Sequence, residues 1–502
     1  MERSALQSPD ATSTLDSSVC YRALQTRDAR FDGRFFTGVV STGIYCRPVC
    51  PAPTPKADNC RFFHCAAAAQ EAGFRPCLRC RPETSPGSSP WLGTSSTVSR
   101  ALRLISEGAL DCGNVEELAE RVGVGERHLR RLFLHHLGTP PRSVAQTRRL
   151  LFAKRLIDET NLTMADVALS SGFASVRRFN DAIRETYKRT PRELRRASAA
   201  SRDGSRSEIV LRLAYRPPFH WQALHHFLSQ RLTPGIDALG ADSYRRTVCI
   251  DAEHGLIEVR RVQERNHLEA RIRIGNATKL IDVVSRLRRQ FDLDADPQEI
   301  AAQLLADQRL APLVRAHPGL RIPGAWDPFE IAVRAVLGQQ ITVRAATTLM
   351  TRLVQTYGEP LEADNEAMPE LTRVFPRPER LAQARLTGIG LPATRAAAIS
   401  SIAAAVRDGD LRFDAARSDF VETLRRIRGI GEWTAEYVAL RGLGEPDAFP
   451  AADLGLRRAL GPAGDLATST QVMRMAEAWR PWRAYAALYI WTEGISDATD
   501  RE

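Results

Sequence analysis

The sequence predicts a multidomain protein, mainly α-helical with α+β parts, on three observations. The chain has 502 residues, which at about 150 residues per domain indicates three or four domains. Two stretches rich in Ser, Pro, Ala and Gly, residues 82–97 and 197–207, are typical of linkers. The segments that they separate differ in pattern: the first is rich in cysteine, the second is basic and helical, and the third mixes strands with helices.

The first segment contains two close pairs of cysteines. Cys46 and Cys50 are separated by three residues, and Cys77 and Cys80 by two. Two pairs at these spacings can hold one metal ion between them, which predicts a small domain with one Zn²⁺ bound by four thiolates. Most such sites are purely structural, so the spacing alone does not predict a reaction. We interpret the remaining cysteines as bystanders or ordinary thiols: Cys20, Cys60, Cys65, Cys112 and Cys249.

The residues around the paired cysteines resemble the N-terminal domain of the Ada family. The similar segments are Thr42–Cys50, with the sequence TGIYCRPVC, and Gly73–Cys80, with the sequence GFRPCLRC. In that family the domain transfers a methyl group from a DNA methylphosphotriester to one zinc-bound cysteine. The resemblance implies a domain over residues 15–82 in which Cys46 is both a zinc ligand and the methyl acceptor. It also implies that Arg47 contacts DNA.

The second segment carries almost all of the excess positive charge. The formal net charge of the chain is +11, and residues 121–196 contain 17 Lys or Arg against 7 Asp or Glu. A solvent-exposed helix face is the ordinary explanation of a run of charges, but this concentration favours a polyanionic partner. We therefore expect this segment to bind double-stranded DNA.

Two helix-turn-helix patterns lie in the basic segment. Residues 115–135 form an amphipathic helix, a glycine-containing turn and a second helix, and the pattern recurs over residues 164–180. The tandem arrangement resembles the DNA-binding domain of AraC-type regulators and covers residues 98–196. The resemblance implies two recognition helices, 126–135 and 175–185, in successive major grooves. The implied DNA contacts are Arg127, His128, Arg130, Arg177, Arg178 and Asn180.

The third segment begins with a pattern typical of β-structure. His267–Ile274 alternates apolar and charged residues, as a half-buried strand does, and Leu256–Val262 is a looser case. Trp221–Leu228 is predicted to form a helix that lies on this sheet. We therefore predict a small sheet-containing subdomain over residues 208–290, and we expect helices from about Asp327 onward.

A helix-hairpin-helix pattern follows in residues 424–437, with the sequence LRRIRGIGEWTAEY. Its two glycines, Gly429 and Gly431, place backbone N–H groups at a helix N-terminus, where they can hold a DNA phosphate. The hairpin alone is only moderately specific, because it is common among DNA-binding proteins. Twenty residues after Trp433 comes a carboxylate, Asp453.

The hairpin and this carboxylate resemble the helix-hairpin-helix DNA glycosylases, and most closely the AlkA family of 3-methyladenine glycosylases. The similarity covers residues 208–497 and implies a glycosylase domain over residues 291–497. In that family the carboxylate stabilises the cationic sugar that forms as an alkylated purine leaves, which implies a catalytic role for Asp453. The implied substrate-binding residues are Trp433, Tyr437, Trp491 and Gln340.

Two positions depart from related patterns. Glycosylases that also cut the DNA strand carry Lys at the position of Trp433, so we expect a monofunctional glycosylase without a Schiff-base step. Gln340 stands at the wedge position, where AlkA has an apolar Leu. With an amide at this position, base flipping is a hypothesis. The sequence does not define the range of lesions that the protein excises.

As a whole, the chain resembles a fusion of Ada and AlkA. The resemblance implies stoichiometric repair of methylphosphotriesters, excision of alkylated purines and activation of transcription, with RNA polymerase as a further partner. No stretch approaches the roughly 18–20 apolar residues that span a membrane, so we expect a cytoplasmic, nucleoid-associated bacterial protein. The alternative is a transcription factor that senses alkylation and has an inactive glycosylase domain. The sequence indicates no oligomeric state.

Overall fold

The computed structural model describes residues 15–87, 96–197, 208–362, 366–462 and 465–499. It is mainly helical and multidomain, as the sequence predicts, with one small sheet in the cysteine-rich part and a larger one in the third segment. Within these ranges, no helix has both the length and the apolar character needed to cross a membrane.

The first part is a small sheet packed on two helices. Its elements are α1 (Ser17–Thr26), β1 (Phe36–Val39), β2 (Ile44–Cys46), β3 (Cys60–Phe63), α2 (Ala66–Glu71) and β4 (Arg75–Pro76). The strand order is β3-β1-β2-β4, and Phe36, Tyr45 and Phe74 are buried in one cluster with the alanines of α2. β2 and β4 run parallel, with Tyr45 opposite Pro76, so the ends of these two strands lie side by side.

The second part is entirely helical, which confirms the prediction for the basic segment. Its helices are α3 (Ser96–Ser106), α4 (Ala109–Cys112), α5 (Val115–Arg121), α6 (Glu126–Leu137), α7 (Pro141–Glu159), α8 (Met164–Ser170), α9 (Val176–Tyr187) and α10 (Pro191–Ala197). The pairs α5–α6 and α8–α9 are the two helix-turn-helix units. Asn114 and Thr163 begin the first helix of each unit with a capping box. Gly123 and Gly172 then adopt left-handed backbone angles, φ 75° and 81°, in the two turns.

The third segment opens with a five-stranded antiparallel sheet. Its elements are β5 (Ile209–Ala214), α11 (Trp221–Ser229), β6 (Asp237–Leu239), β7 (Ser243–Ile250), β8 (Glu253–Arg261) and β9 (His267–Ile274). The order is β5-β9-β8-β7-β6. The predicted helix and both predicted strands are confirmed as α11, β8 and β9. The other three strands were not anticipated, because their sequences lack a long alternating pattern.

The remainder of the segment is a helical domain with one short pair of strands. Its elements are α12 (Leu280–Gln290), α13 (Pro297–Leu304), α14 (Leu310–Ala316), α15 (Pro328–Leu337), α16 (Val343–Tyr357), β10 (Glu359–Pro360), β11 (Arg373–Val374), α17 (Pro378–Ala382), α18 (Ala393–Arg407), α19 (Arg417–Arg425), α20 (Glu432–Arg441), α21 (Leu454–Ala459), α22 (Ser469–Ala476) and α23 (Arg483–Thr499). Helices therefore return at Leu280, not at Asp327. α12 has 11 residues with apolar positions at helical spacing, so the sequence pattern does favour a helix there. α13 and α14 are short, and each ends within about two turns, which gives little periodicity to detect.

The second part and the large sheet share one apolar core. Leu156 and Ile157 of α7 and Phe179 of α9 belong to the same buried cluster as Leu211 and Leu213 of β5. A shared core couples the two parts, because separating them would expose this apolar surface to water. The helix-turn-helix part and the sheet are thus packed together rather than joined only by a linker.

Part of the first predicted linker is also packed. In residues 82–87, Pro82 and Pro86 are buried, and the Glu83 carboxylate is only 2% exposed because it pairs with Arg81 and Lys154. The prediction of a loose linker is wrong for this stretch, since proline-rich composition does not prevent packing against a neighbouring helix. Residues 88–95 and 198–207, which the linker predictions also cover, lie outside the described residues.

A buried ion network joins the cysteine-rich part to α7. The Arg81 guanidinium lies 3.1 Å from Glu83, 3.2 Å from Asp158 and 3.2 Å from Glu159. Lys154 pairs with Asp158 in turn, and each of the three carboxylates is at most 4% exposed. Removing one partner from such a network leaves a buried charge without compensation, so the network constrains how the first part sits on the second.

Candidate metal centre and active site

The four paired cysteines converge at the ends of two adjacent strands. Cys46 ends β2, and Cys77 follows β4, where its N–H donates to the Tyr45 carbonyl at 3.0 Å. Cys50 and Cys80 lie in the turns that follow, and all four side chains are buried. Their sulfur atoms lie within 4.8 Å of one another. The parallel pairing of β2 with β4 therefore brings the two cysteine pairs together.

This arrangement fits a zinc ion. Four thiolates at about 2.3 Å from a tetrahedral Zn²⁺ would have their sulfur atoms roughly 3.8 Å apart, which is compatible with the observed cluster. Cys60 and Cys65 lie outside it: the Cys60 thiol donates to the Lys56 carbonyl, and the Cys65 sulfur accepts the Ala68 N–H at the start of α2. Among the described residues, the four paired cysteines are the one group with metal-binding geometry. The chain has a Zn²⁺ site.

Arg47 is held within the metal-binding part. Its backbone N–H donates to the Cys80 sulfur at 3.4 Å, and its side chain is 13% exposed. The guanidinium pairs with Asp32 and donates to the Cys80 carbonyl at 3.0 Å and to Thr84 Oγ1 at 2.6 Å. In this conformation Arg47 braces the loops around the cluster, and most of its donors are already used.

The predicted DNA contacts lie on the accessible faces of α6 and α9. Phe133 and Phe179 anchor the opposite faces in the core. On α6, Arg130 is engaged with Glu126 at 2.6 Å, and His128 Nδ1 lies 2.8 Å from Arg131. Asn180 is half-buried, whereas the other five predicted contacts are exposed: Arg127, His128, Arg130, Arg177 and Arg178.

A second site is a cavity of about 540 Å³ in the third segment. Its walls come from α11, α15, α16, α20, α21 and α23, so residues far apart in the sequence meet there. Three of the four predicted substrate-binding residues line it: Trp433, Tyr437 and Trp491. Asp453 lines it as well and is the one carboxylate among the described lining residues.

Asp453 is held by three hydrogen-bond donors. Oδ2 accepts the indole N–H of Trp433 at 2.8 Å, and Oδ1 accepts the indole N–H of Trp491 at 3.0 Å. Oδ1 also accepts the Leu456 N–H at 3.1 Å, because Asp453 is the N-cap of α21. The loop before Asp453 is tied to α20, since Glu436 accepts the Phe449 N–H at 3.0 Å. The carboxylate therefore has a defined orientation in the cavity wall.

Aromatic rings form a platform beside this carboxylate. The Trp433 and Tyr437 rings stack with centroids 5.2 Å apart and an interplanar angle of 14°. Trp491 lies 6.3 Å from Tyr437 at 56°. Such faces can stack on a planar, electron-poor ring. Gly455 keeps the space next to the carboxylate open, because a Cβ there would lie 3.1 Å from Asp453 Oδ1.

The hairpin between α19 and α20 presents free backbone donors. Gly429 adopts φ 91°, a conformation that favours glycine, and Gly431 is the N-cap of α20. Within the described chain, neither of these two N–H groups makes a hydrogen bond. Both can therefore donate to an anion at the positive end of the helix dipole.

Gln340 lies outside the cavity wall, on the exposed loop between α15 and α16. It adopts a left-handed backbone conformation with φ 55°, which is uncommon for a residue other than glycine. The preceding residue, Gln339, anchors this loop to the hairpin: its Nε2 donates to the Gly429 carbonyl at 3.1 Å and to Thr434 Oγ1 at 3.0 Å.

A relative from Mycobacterium tuberculosis matches nearly the whole length of this chain. It is named "Probable bifunctional transcriptional activator/DNA repair enzyme AlkA" and is 41% identical over 483 residues, covering 95% of this chain and 96% of the relative. The chain belongs to this AlkA family. Membership is consistent with a metal centre, two helix-turn-helix units and a helix-hairpin-helix cavity in one chain.

Two other relatives match separate parts of the AlkA-family chain. "DNA-3-methyladenine glycosylase 2" of Escherichia coli is 34% identical over 288 residues, covering 56% of this chain and 97% of the relative. "Bifunctional transcriptional activator/DNA repair enzyme Ada" of Escherichia coli is 31% identical over 177 residues, covering 35% of this chain and 48% of the relative.

Four family models match successive parts of the chain. The metal binding domain of Ada matches residues 19–83, and a helix-turn-helix domain matches 118–197. The AlkA N-terminal domain matches 210–327, and the HhH-GPD superfamily of base excision DNA repair proteins matches 333–484. The predicted resemblance to a fusion of Ada and AlkA is thereby confirmed.

Several cavity residues were not anticipated from the AlkA-family sequence. Phe227 and Arg231 come from α11 and the turn after it, about 200 residues before Trp433. An amphipathic helix gives no sign of which side chain meets a distant cavity, so no local signal identifies them. Gly455 follows Asp453 by two residues, and this closeness in sequence is the one signal that could have identified it as a cavity residue.

Proposed function

We propose that this protein repairs alkylated DNA by two reactions and regulates transcription in response to the damage. One reaction excises alkylated purines of the 3-methyladenine type at Asp453. The other transfers a methyl group from a DNA methylphosphotriester to Cys46. The observation that carries the first proposal is a carboxylate held between two indole N–H groups in a cavity walled by aromatic rings.

Excision follows from the chemistry of these groups. Alkylation gives the purine a positive charge, so the base leaves as a neutral molecule when the bond between C1′ and nitrogen breaks. The electron pair of that bond departs with the base, and the sugar becomes cationic. Asp453 stabilises this charge and orients a water molecule, whose oxygen then bonds to C1′ while a proton is released. Trp433, Tyr437 and Trp491 stack on the flipped base before it leaves.

Other residues hold the DNA for this step. The N–H groups of Gly429 and Gly431 bind a phosphate near the lesion without reading its sequence. Gln340 enters the space that the flipped base leaves. Trp433 occupies the position at which bifunctional relatives carry Lys, and indole nitrogen forms no Schiff base with the sugar. The glycosylase is therefore monofunctional and leaves an abasic site.

Methyl transfer uses the metal-binding part. Cys46, Cys50, Cys77 and Cys80 hold Zn²⁺, which when bound keeps the thiolates deprotonated at neutral pH. The Cys46 sulfur attacks the methyl carbon, a C–S bond forms, and the C–O bond breaks with its electron pair on the phosphodiester oxygen. A thioether does not return to a thiol, so each molecule reacts once. The site loses one negative charge, which weakens repulsion of the DNA backbone and strengthens DNA binding.

Transcription activation would use the helix-turn-helix part. Exposed cations on α6 and α9 support binding to double-stranded operator DNA, with Arg127, Arg177 and Arg178 as the accessible contacts. Arg47 remains a proposed DNA contact, and in the unbound protein its guanidinium also braces the loops around the metal. RNA polymerase is the expected partner at a promoter, and the protein would reside with the nucleoid in the cytoplasm.

Two assays on the unmodified protein test this proposal. The first incubates it with duplex DNA that carries 3-methyladenine and measures free base, which we expect in multiple turnovers. The second incubates it with DNA containing methylphosphotriesters and measures peptide masses, with one methyl group expected on the peptide of Cys46. DNA binding without base release would contradict excision and support the rival function, an alkylation-sensing transcription factor. An unmodified Cys46 peptide would contradict methyl transfer.

A further inference from the structure

The cavity that Asp453 lines contains an excess of positively charged side chains. Arg231, Arg321 and Arg334 line it, and Arg441 donates to the Tyr437 hydroxyl at 2.8 Å. Burial acts to raise the pKa of Tyr437, but the neighbouring guanidinium groups outweigh it and lower the pKa below its ordinary value. This positive field is unexpected in a cavity that accepts cationic bases, because like charges repel.

The four arginines differ in how their donors are used. Arg321 donates to four backbone carbonyls. Arg334 lies 3.7 Å from Glu330 and donates to Thr233 at 2.8 Å. Arg441 donates to the Pro323 carbonyl at 2.7 Å in addition to Tyr437. Arg334 and Arg441 therefore already donate to protein acceptors, of which Pro323 and Tyr437 line the cavity themselves.

Arg231 differs from the other arginines in how few of its N–H groups have an acceptor: among the described residues, its guanidinium interacts with the Tyr437 hydroxyl and its other hydrogen bonds come from Nη1 alone. Its Cζ lies 3.8 Å from the centroid of the Phe227 ring, and Nη1 donates to the Phe227 carbonyl at 3.2 Å and to Gln230 at 3.4 Å. Within the described ranges no carboxylate lies within 4.0 Å of its guanidinium. Burial lowers the pKa of Arg231 to about 10, so the group stays charged at neutral pH. It is a planar cation stacked on a ring at the cavity wall.

Such a cation affects two kinds of base in opposite ways. A cationic purine is repelled by Arg231 while bound and leaves as a neutral molecule. A neutral base instead leaves with the electron pair of its bond to C1′ and acquires negative charge, which a guanidinium can stabilise by hydrogen bonds to a carbonyl oxygen or ring nitrogen. The same residue would therefore favour departure of neutral, acceptor-bearing bases.

We propose that Arg231 is a specificity-determining residue, which donates hydrogen bonds to the acceptor edge of a flipped neutral base and stabilises that base as it leaves. This inference rests on the proposed excision at Asp453. Phe227 orients the guanidinium by stacking, and Asp453 acts on the sugar in both cases. The complete reaction is hydrolysis: water supplies the hydroxyl group bonded to C1′ and the proton that the departing base takes up.

The experiment compares two duplexes, one with 3-methyladenine and one with hypoxanthine, a neutral purine with a carbonyl oxygen. Single-turnover rate constants are measured for the full-length protein and for Arg231→Met, which keeps the length of the side chain but removes the charge and the donors. We expect the ratio of the hypoxanthine to the 3-methyladenine rate constant to fall about 30- to 100-fold in the variant. Arg231→Lys, which restores the charge without the planar fork, should recover part of the ratio.

The outcomes separate this inference from the proposed function. If Arg231→Met lowers both rate constants equally, or changes neither, Arg231 does not distinguish the two bases and the inference is wrong. The inference is also wrong if the unmodified protein releases 3-methyladenine but no hypoxanthine. Release of neither base from the unmodified protein would instead overturn the proposed excision itself. The midpoint temperature of thermal unfolding is measured for each variant. A midpoint equal to that of the unmodified protein excludes a general loss of structure.

Discussion

The metal centre and the cavity at Asp453 are built in opposite ways. All four sulfur ligands lie between Cys46 and Cys80, at the ends of two strands that pair directly. The cavity instead draws residues from Ala223 to Thr492, on six helices and the loops between them. A site made from one short stretch can be recognised by spacing, whereas a site assembled across a fold depends on packing that spacing does not reveal. The two sites also differ chemically, because the proposed reaction consumes Cys46 but leaves Asp453 unchanged.

The largest expected effect is at the metal centre. Cys46→Ser should abolish methyl transfer, since a serine oxygen at this position replaces the nucleophilic sulfur. Peptide mass spectrometry after exposure to methylphosphotriester DNA measures it. Base release should stay within about twofold of the unmodified protein, because the two sites share no residue.

Cys60→Ser is the matched control, because the Cys60 sulfur lies outside the cluster and donates a hydrogen bond to the Lys56 carbonyl. It should keep full methyl transfer. Transfer by Cys46→Ser at the normal level would show that another sulfur accepts the methyl group, and the assignment to Cys46 would then be wrong.

The next largest effect is at Asp453. Asp453→Asn should slow base release by about 10²- to 10³-fold, because the amide no longer offers a negative charge to the sugar. Single-turnover release of 3-methyladenine measures the loss. Asp307→Asn is a close control: Asp307 also accepts an indole N–H, from Trp479 at 2.8 Å, and also accepts backbone N–H groups near the start of a helix. If both variants slow release to the same extent, the Asp453 carboxylate has no special role in the chemistry.

The contrast between the two sites explains what the sequence could predict. The cysteine pairs, the hairpin glycines and the tandem helix-turn-helix units are local patterns, and the structure contains each of these elements. The resemblance to known families then supplied Asp453 and the three aromatic residues, which do line one cavity. A periodic pattern in the sequence could not have predicted that these residues share one site, since Asp453 and Trp491 lie 38 residues apart.

Other features depended on tertiary packing and were missed. Residues 82–87 have linker composition but pack on α7, where Lys154 pairs with the Glu83 carboxylate and two acidic residues pair with the adjacent Arg81. The shared core of the helix-turn-helix part and the large sheet is equally invisible in sequence, since amphipathic helices and strands do not identify their partners. Nothing in the sequence distinguishes Arg231 from the other arginines, because its position at the cavity wall depends on how α11 packs.

A smaller effect is expected when a donor to Asp453 is removed. Trp433→Phe keeps an aromatic face for stacking but loses the indole N–H that lies 2.8 Å from Oδ2. A hydrogen bond to a charged acceptor contributes about 1.5–3 kcal/mol, so base release should slow roughly 10- to 100-fold. The control is Trp479→Phe, which removes the equivalent bond to Asp307. It should lower the free energy of unfolding without slowing release, and equal slowing by both would contradict the role given to Trp433.

The smallest effect concerns the loop that carries Gln340. Gln339→Ala removes the hydrogen bonds to the Gly429 carbonyl and to Thr434 Oγ1, which together hold this loop against the hairpin. Each neutral hydrogen bond contributes about 0.5–1.5 kcal/mol, so the affinity for a duplex with an abasic site should fall between about 5- and 100-fold, most of it through faster dissociation.

Gln303→Ala provides the control, because Gln303 donates the same kind of amide hydrogen bond to the Ala478 carbonyl at 3.0 Å, away from the hairpin and the wedge loop. It should leave the affinity unchanged while costing a similar free energy of unfolding. Titration of a fluorescent duplex measures both variants. If Gln339→Ala binds as tightly as Gln303→Ala, the left-handed conformation of Gln340 does not need this anchor, and the wedge and the phosphate-binding hairpin act independently on DNA.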